Sequence, residues 1–222
     1  MPNDLKTQAI ILRRTNYGES DRILNLLTPE GKISALAKGV RKEKSKLAGS
    51  IELFSVAEVV IHQGKSNLGT LTSARMMRFY SNILSDLTRL ELASEVLKKA
   101  ERAAEQIDNP DYFTLVDQAL KGIHSQFELD LVRTWFVLNF AQALGEEINL
   151  FTDVDGSVLS TEQRYFWDNA ECALRADSHG VIGSSEIKLC RLILTNPLAT
   201  VARVSGVTDL VAALIPIMRA FM

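Results

Sequence analysis

The stretch AKGVRKEKSKLAGS, residues 37–50, concentrates the side chains best suited to chemistry in this chain. Lys38, Arg41, Lys42, Lys44 and Lys46 lie within it, with one acid, Glu43, among them. Cations this dense displace the counterions condensed on a polyanion, which holds phosphates without reading sequence. Gly39 and Gly49 relieve steric limits near the ends, and the segment reads as a flexible loop able to track a backbone. Arg13, Arg14, Arg22, Lys32, Arg75 and Arg78 extend the candidate phosphate-binding patch. Taken alone, such a loop is more often a solvated surface segment, so its neighbours must decide.

Other candidate groups carry weaker signals. Glu19 and Asp21 in YGESD form a conceivable carboxylate pair, but turn formation and pairing with Arg14 or Arg22 explain them better. Asp153 and Asp155 in TDVDGS match part of a calcium loop, yet the further oxygen donors and the distal Glu are missing. His62, His124 and His179 share no motif, and no Ser-His-Asp arrangement or phosphate-cradling glycine loop is present. No catalytic residue, metal ligand or cofactor is expected. Residues 1–80 offer Tyr17, Phe54, Phe79 and Tyr80 as aromatics. Phe54 reads as core in mid-strand, and Tyr17 either stacks on a base or packs beneath its turn. Few platforms imply phosphate-dominated, salt-sensitive binding with little base preference.

The elements that must position these residues change period near residue 80. TQAIILRR (7–14), RILNLLT (22–28), KISALAK (32–38), IELFSVAEVVIHQG (51–64) and LGTLTSARMM (68–77) read as five strands, joined by turns at YGESD, PEG and KSN. With one long loop after the third, they suggest a small closed barrel. Helical spacing follows. One helix is expected over 81–107, from Leu84, Leu87, Leu90, Leu97, Ala100, Ala104 and Ile107. Another spans 109–123, capped by Asn109 with Pro110 first. Residues 127–145 read as a central buried helix ending at Gly145, and 149–160 as a hairpin about Asp155-Gly156. Ser160 and Gln163 have capping-box spacing before a helix EQRYFWDNAECALRA. Helices are expected over 184–196 and 208–222, the last kinked near Pro216.

The 222 residues are 46 % hydrophobic, enough for one large core or two modest ones. The start MPNDLKTQAIILRR lacks the pattern of a signal peptide, no run is long and apolar enough to span a membrane, and Cys172 and Cys190 read as two buried thiols. A cytoplasmic protein is expected. Charge divides unevenly: residues 1–80 hold thirteen Lys/Arg against seven Asp/Glu, and residues 81–222 hold twelve against twenty. A basic first part and an acidic second part suggest two domains with different partners.

The segments YGESDRIL, TPEGKISALAKGVRK with KSKL, and LGTLTSA, in that order and spacing, resemble the bacterial recombination mediator RecO family. They cover about a third of the chain, and LVRTWFVLNFAQALGE is similar to the family's central helix. The resemblance implies an α+β, two-domain protein: a five-stranded OB-type β-barrel over 1–80, then an all-α helical domain over 81–222 with a small hairpin near 149–160. It also implies a non-enzymatic role in DNA repair and recombination. Such proteins bind single- and double-stranded DNA, anneal complementary strands, and work with RecR and RecF to load RecA onto DNA coated by single-stranded-DNA-binding protein (SSB). They recognise the acidic, hydrophobic SSB tail. For that tail Arg133 with Leu131, Val132, Trp135 and Phe136 is the candidate pocket, with Arg102 and Arg191 as alternative rim cations and core filling as the competing role for Trp135 and Phe136. Many members carry a four-cysteine zinc site after the central helix. Residues 146–190 hold only Cys172, Cys190 and His179 of that kind, without a closely spaced Cys pair, so no zinc is expected. Association with the nucleoid follows from the DNA role. The alternative is another OB-fold binding protein directed at RNA or the ribosome, and a third possibility is an enzyme using the acidic half.

Overall fold

A computed structural model describes residues 4–64 and 67–222. The five expected strands are present: β1 (Asp4–Tyr17), β2 (Asp21–Thr28), β3 (Gly31–Ala37), β4 (Ser55–His62) and β5 (Leu68–Phe79). They close into a barrel in the order β1-β2-β3-β5-β4, with β4 returning to β1. The pairing of β3 with β5 is parallel and the other four are antiparallel. This is the OB-type topology. Alternation puts Ala9, Ile11, Leu24, Leu26, Ala35, Ala37, Val59 and Ile61 inside. Small residues let the strands approach: a Cβ on Gly69 would sit 2.5 Å from Ile61 Cγ2. Lys65 and Ser66 of the expected KSN turn lie outside the described residues. The fourth strand begins later than expected. Residues 51–54 lie ahead of it, and Phe54 is a buried residue with φ +59 at that entry, not a mid-strand residue.

After β5 the chain becomes helical: α1 (Leu87–Ala103), α2 (Asp111–His124), α3 (Leu129–Ala143), α4 (Ser184–Thr195), the single turn α5 (Leu198–Val201) and α6 (Val207–Ala220). The helix expected over 81–107 is shorter at both ends. Asp86 breaks it by capping α1, accepting from the N–H groups of Thr88 and Arg89. Leu84, Leu87 and Ile107, counted on the apolar stripe, are exposed. In α2 the cap is as read: Asn109 Oδ1 accepts the Asp111 N–H at 2.9 Å. The helix α6 contains Pro216.

Two compact units emerge, one ending at His124 and the other beginning at Ser125. In the first, α1 and α2 pack on each other and on β1 and β2. Ile10, Leu12 and Leu27 are buried although they are outside the cluster that fills the barrel. The strand-to-helix change lies at residue 80, but the compact units divide after α2.

In the second unit α3 packs against α4 and α6, and Trp135 Nε1 donates to Asn196 O at 2.9 Å. The turn about Asp155-Gly156 forms, with Asp153 Oδ1 accepting from the Asp155 and Ser157 N–H groups. The helix expected after Ser160 is instead a β-hairpin, β6 (Tyr165–Asp168) with β7 (Ala173–Ala176). Tyr165 and Trp167 are buried while Phe166 is exposed, a two-residue period that outweighs the capping-box spacing. Tyr165 also exchanges backbone hydrogen bonds with Ile182, and Gly180 lies so close that a Cβ there would be 2.4 Å from Tyr165 backbone atoms.

Both thiols are free, but only one is buried, in contrast to the expectation of two. Burial pushes the Cys190 thiol up to about 12, whereas Cys172 lies exposed with φ +50. A thiol reagent is therefore expected to modify Cys172 in the native protein and Cys190 only after denaturation. Equal native rates for the two would contradict this packing.

Candidate nucleic-acid interface

The loop between β3 and β4 packs into the barrel. Val40 and Ile51 are buried in the barrel cluster, and Leu47, Ala48 and Leu53 pack against it. The cations between these apolar residues stay outside: Lys38, Arg41, Lys42, Lys44 and Lys46 are all exposed. The segment is a pinned plug carrying charge outward, not the flexible tether its composition suggests.

Both ends of the plug are tied. At its start, Asp21 Oδ1 accepts the Gly39 N–H at 2.7 Å. Gly39 sits at φ +65, where a side chain would be strained; Gly49, by contrast, lies in an ordinary helical turn over Ala48–Ser50. The Arg41 N–H donates to Ser20 O at 2.8 Å, and Arg41 Nη1 donates to Gly18 O at 3.2 Å. At its far end, Arg14 Nη1 donates to Glu52 Oε2 at 2.6 Å and to Ile51 O at 3.5 Å. The Gly39 N–H lowers the Asp21 pKa below the ordinary aspartate range, against partial desolvation, with Ser20, Lys38 and Lys42 helping. Asp21 thus anchors the loop and does not pair with Arg14 or Arg22. Arg22 Nε donates instead to Asn16 Oδ1 at 3.2 Å.

The eleven cations singled out in the sequence therefore sort into two groups. Among the described residues, none of the five loop cations lies within salt-bridge distance of a carboxylate, and half-buried Arg22 forms no ion pair, its side chain donating to Asn16. Four of the other five face acids, and exposed Arg13 adds only a longer-range attraction to Glu105. Lys32, whose side chain is 14 % exposed, donates to Glu105 Oε1 at 2.6 Å and lowers that carboxyl's pKa, with Arg13 nearby. Arg14 is the Glu52 anchor. Arg75 lies 3.7 Å from Glu58. Arg78 Nη2 donates to both Asp117 oxygens at 3.1 Å, and Tyr80 Oη donates to Asp117 Oδ1 at 2.6 Å. Burial opposes the Arg78 charge, but Tyr80 and Asp117 outweigh it, so its pKa stands above the ordinary arginine value. Asn25 is likewise taken, donating to Glu101 at 2.6 Å. The face of β2 and β3, the usual oligonucleotide face of this fold, is thus engaged by the carboxylates of α1 and the residues just after it.

The residues read as an SSB-tail pocket are not a surface. Leu131, Val132, Trp135 and Phe136 are buried core, and Arg133 is 3.8 Å from Asp130. Arg102 lies on α1, in the other compact unit. A groove missed in the sequence lies beside Arg191. It has a volume of about 540 Å³ and is lined by Ile148, Leu150, Phe151, Leu192 and Leu194, with Lys188, Arg191, Gln142 and Thr195. Arg191 stacks 4.8 Å over the Phe151 ring and donates to Leu150 O. Arg191, an alternative rim cation in the sequence, was the available signal, and Phe151 and Leu192 are exposed beside it. Among the described residues no three His, Cys, Asp or Glu are grouped to hold a metal.

Residues 1–80 match the family model described as Recombination protein O N terminal, and residues 83–222 match Recombination protein O C terminal. The chain belongs to the RecO family. It is 38 % identical over 146 residues to DNA repair protein RecO of a Dehalococcoides mccartyi strain, covering 65 % of this chain and 57 % of that protein. To DNA repair protein RecO of Heliobacterium modesticaldum it is 37 % identical over 153 residues, covering 67 % and 55 %. To that of a Roseiflexus species it is 30 % identical over 201 residues, covering 87 % and 71 %. The matched stretch thus spans little more than half the length of the first two relatives. No helix among the described residues of this RecO-family chain is long and apolar enough to cross a membrane.

If Asp21 holds the loop, the Gly39 amide resonance of this RecO-family protein should titrate with an apparent pKa below the ordinary aspartate range. The attachment is complete above that range and is lost as pH falls through the folded pKa. An amide shift that follows an unperturbed aspartate would contradict it. Arg78→Ala should cost up to about 1 kcal/mol, as loss of a partly buried ion pair does, and shows as a lower Tm.

Proposed function

We propose that this protein is a DNA repair and recombination mediator that works by binding and not by catalysis. In this reading it holds single- and double-stranded DNA, anneals complementary strands, and helps load the RecA recombinase onto SSB-coated DNA, with RecR and RecF as partners. The observation that carries it is the pinned loop with five exposed cations at one side of an OB-type barrel. Annealing brings two polyanions together, and the repulsion falls when both are partly neutralised by the same protein. A surface with many unpaired cations and few open aromatics suits that task better than tight storage of single strands.

The groove beside Arg191 supports the SSB-tail part of the reading. A short acidic, apolar tail needs an apolar trough with cations at its rim. Phe151, Leu192 and Leu194 supply the first, and Lys188 and Arg191 the second. This replaces Arg133, Leu131, Val132, Trp135 and Phe136 as the proposed site. No metal or cofactor enters the reading.

The test is annealing of complementary oligonucleotides coated with the cognate SSB. The wild type is expected to anneal them, and a variant with Arg41, Lys42, Lys44 and Lys46 changed to Ala should lose most of that activity. Lys188→Glu with Arg191→Glu should anneal bare strands normally and lose the SSB-coated reaction. A wild type that anneals nothing, or that binds structured RNA in strong preference to DNA, would overturn the reading.

A further inference from the structure

We propose that Tyr17 is a base-stacking platform that gives the phosphate-binding loop a preference for unpaired DNA. This rests on the DNA-binding reading above and deepens it. Two placements are open to a tyrosine at a strand end: packed beneath its turn, or facing solvent. Tyr17 is 55 % exposed, which excludes the first. The other aromatic residues of the first unit are less open. Phe54, Tyr80, Tyr112 and Phe113 are buried, and Phe79, 38 % exposed, ends β5.

Position then supplies the phosphate side of the site. Tyr17 is the last residue of β1 and pairs across the hairpin with Asp21, the loop's anchor. Two of the three residues between them are stitched to the basic loop, Gly18 and Ser20 accepting through their carbonyls from Arg41. An exposed ring is therefore carried on the residue next to one that binds the Arg41 guanidinium, and opposite Asp21, which Lys38 and Lys42 attract. A single strand whose phosphates lie on the loop can turn one base onto the ring. A duplex cannot, because its bases are stacked inside. Phosphate contacts read nothing from the bases, whereas an aromatic platform takes up an unpaired one.

The test is binding of fluorescent oligonucleotides by the full chain, comparing a thymidine oligomer, an abasic oligomer of equal length and a duplex. Tyr17→Ala is expected to weaken thymidine-oligomer binding by about tenfold, the scale of one base-aromatic stack. Abasic and duplex binding should be unchanged, as should the salt dependence. Tyr17→Phe should restore the preference, since the ring and not the hydroxyl does the stacking. Phe79→Ala should leave all three substrates as in the wild type. Equal affinities of wild type and Tyr17→Ala for the thymidine oligomer would overturn the stacking role while leaving the DNA-binding reading intact. An equal loss on abasic DNA would also overturn it, by making Tyr17 a support of the loop. Wild-type protein that binds none of the three would sink the DNA-binding reading and this inference with it.

Discussion

Five cations between residues 38 and 46 repel one another, and packing together with two tethers holds the loop that carries them against that repulsion. Its apolar residues supply the largest part. Val40 and Ile51 are buried among the side chains that fill the barrel. The two ties, Asp21 to Gly39 and Arg14 to Glu52, then fix where the loop leaves β3 and where it returns to β4. With the ends and the apolar side chains fixed, the cations are left on the solvent side and close together. A surface of that kind has high local potential, because the acids that tie the loop, Asp21 and Glu52, are spent on the Gly39 N–H and on Arg14 and form no ion pair with the five cations.

The same principle explains why the remaining basic residues do other work. Lys32, Arg14 and Arg78 each meet a carboxylate at 3.1 Å or less, and each link joins two parts of the first unit. Glu101 and Glu105 bring α1 and the turn after it onto β2 and β3. A helical hairpin docked in this way stabilises the barrel and takes over a face that would otherwise be open to an oligonucleotide. The exposed, unpaired cations that remain lie on the loop after β3, which is tied to the β1–β2 turn. The net charge of the first eighty residues overstates the charge available to DNA, because part of it is neutralised inside the unit.

The barrel was legible in the sequence because its strands alternate and its turns carry Gly, Pro and Asp at the needed positions. Helix α2 was legible from Asn109 and Pro110. The family was legible from three segments in the first eighty residues. What was not legible depended on partners distant in sequence. Lys32 and Glu105 are 73 residues apart, so no local pattern distinguishes Lys32 from Lys42. Tyr165–Asp168 became a strand because Ile182 and Ala173–Ala176 pair with it, a preference that overrode the local capping signal. Trp135 and Phe136 were as suitable for a pocket as for a core by composition. Burial on nearly every face of α3 decided for the core.

The most direct measurement is the salt dependence of duplex DNA binding for three proteins: wild type, the loop variant R41A/K42A/K44A/K46A, and the ion-pair variant K32A/R78A. Each phosphate-neutralising cation contributes about 0.9 to the slope of log K against log salt on duplex DNA. The slope should fall by roughly 3 to 4 in the loop variant and stay at the wild-type value in the ion-pair variant. A slope that falls in the ion-pair variant and not in the loop variant would place the phosphates on the barrel face and contradict the pinned loop as the DNA-binding element.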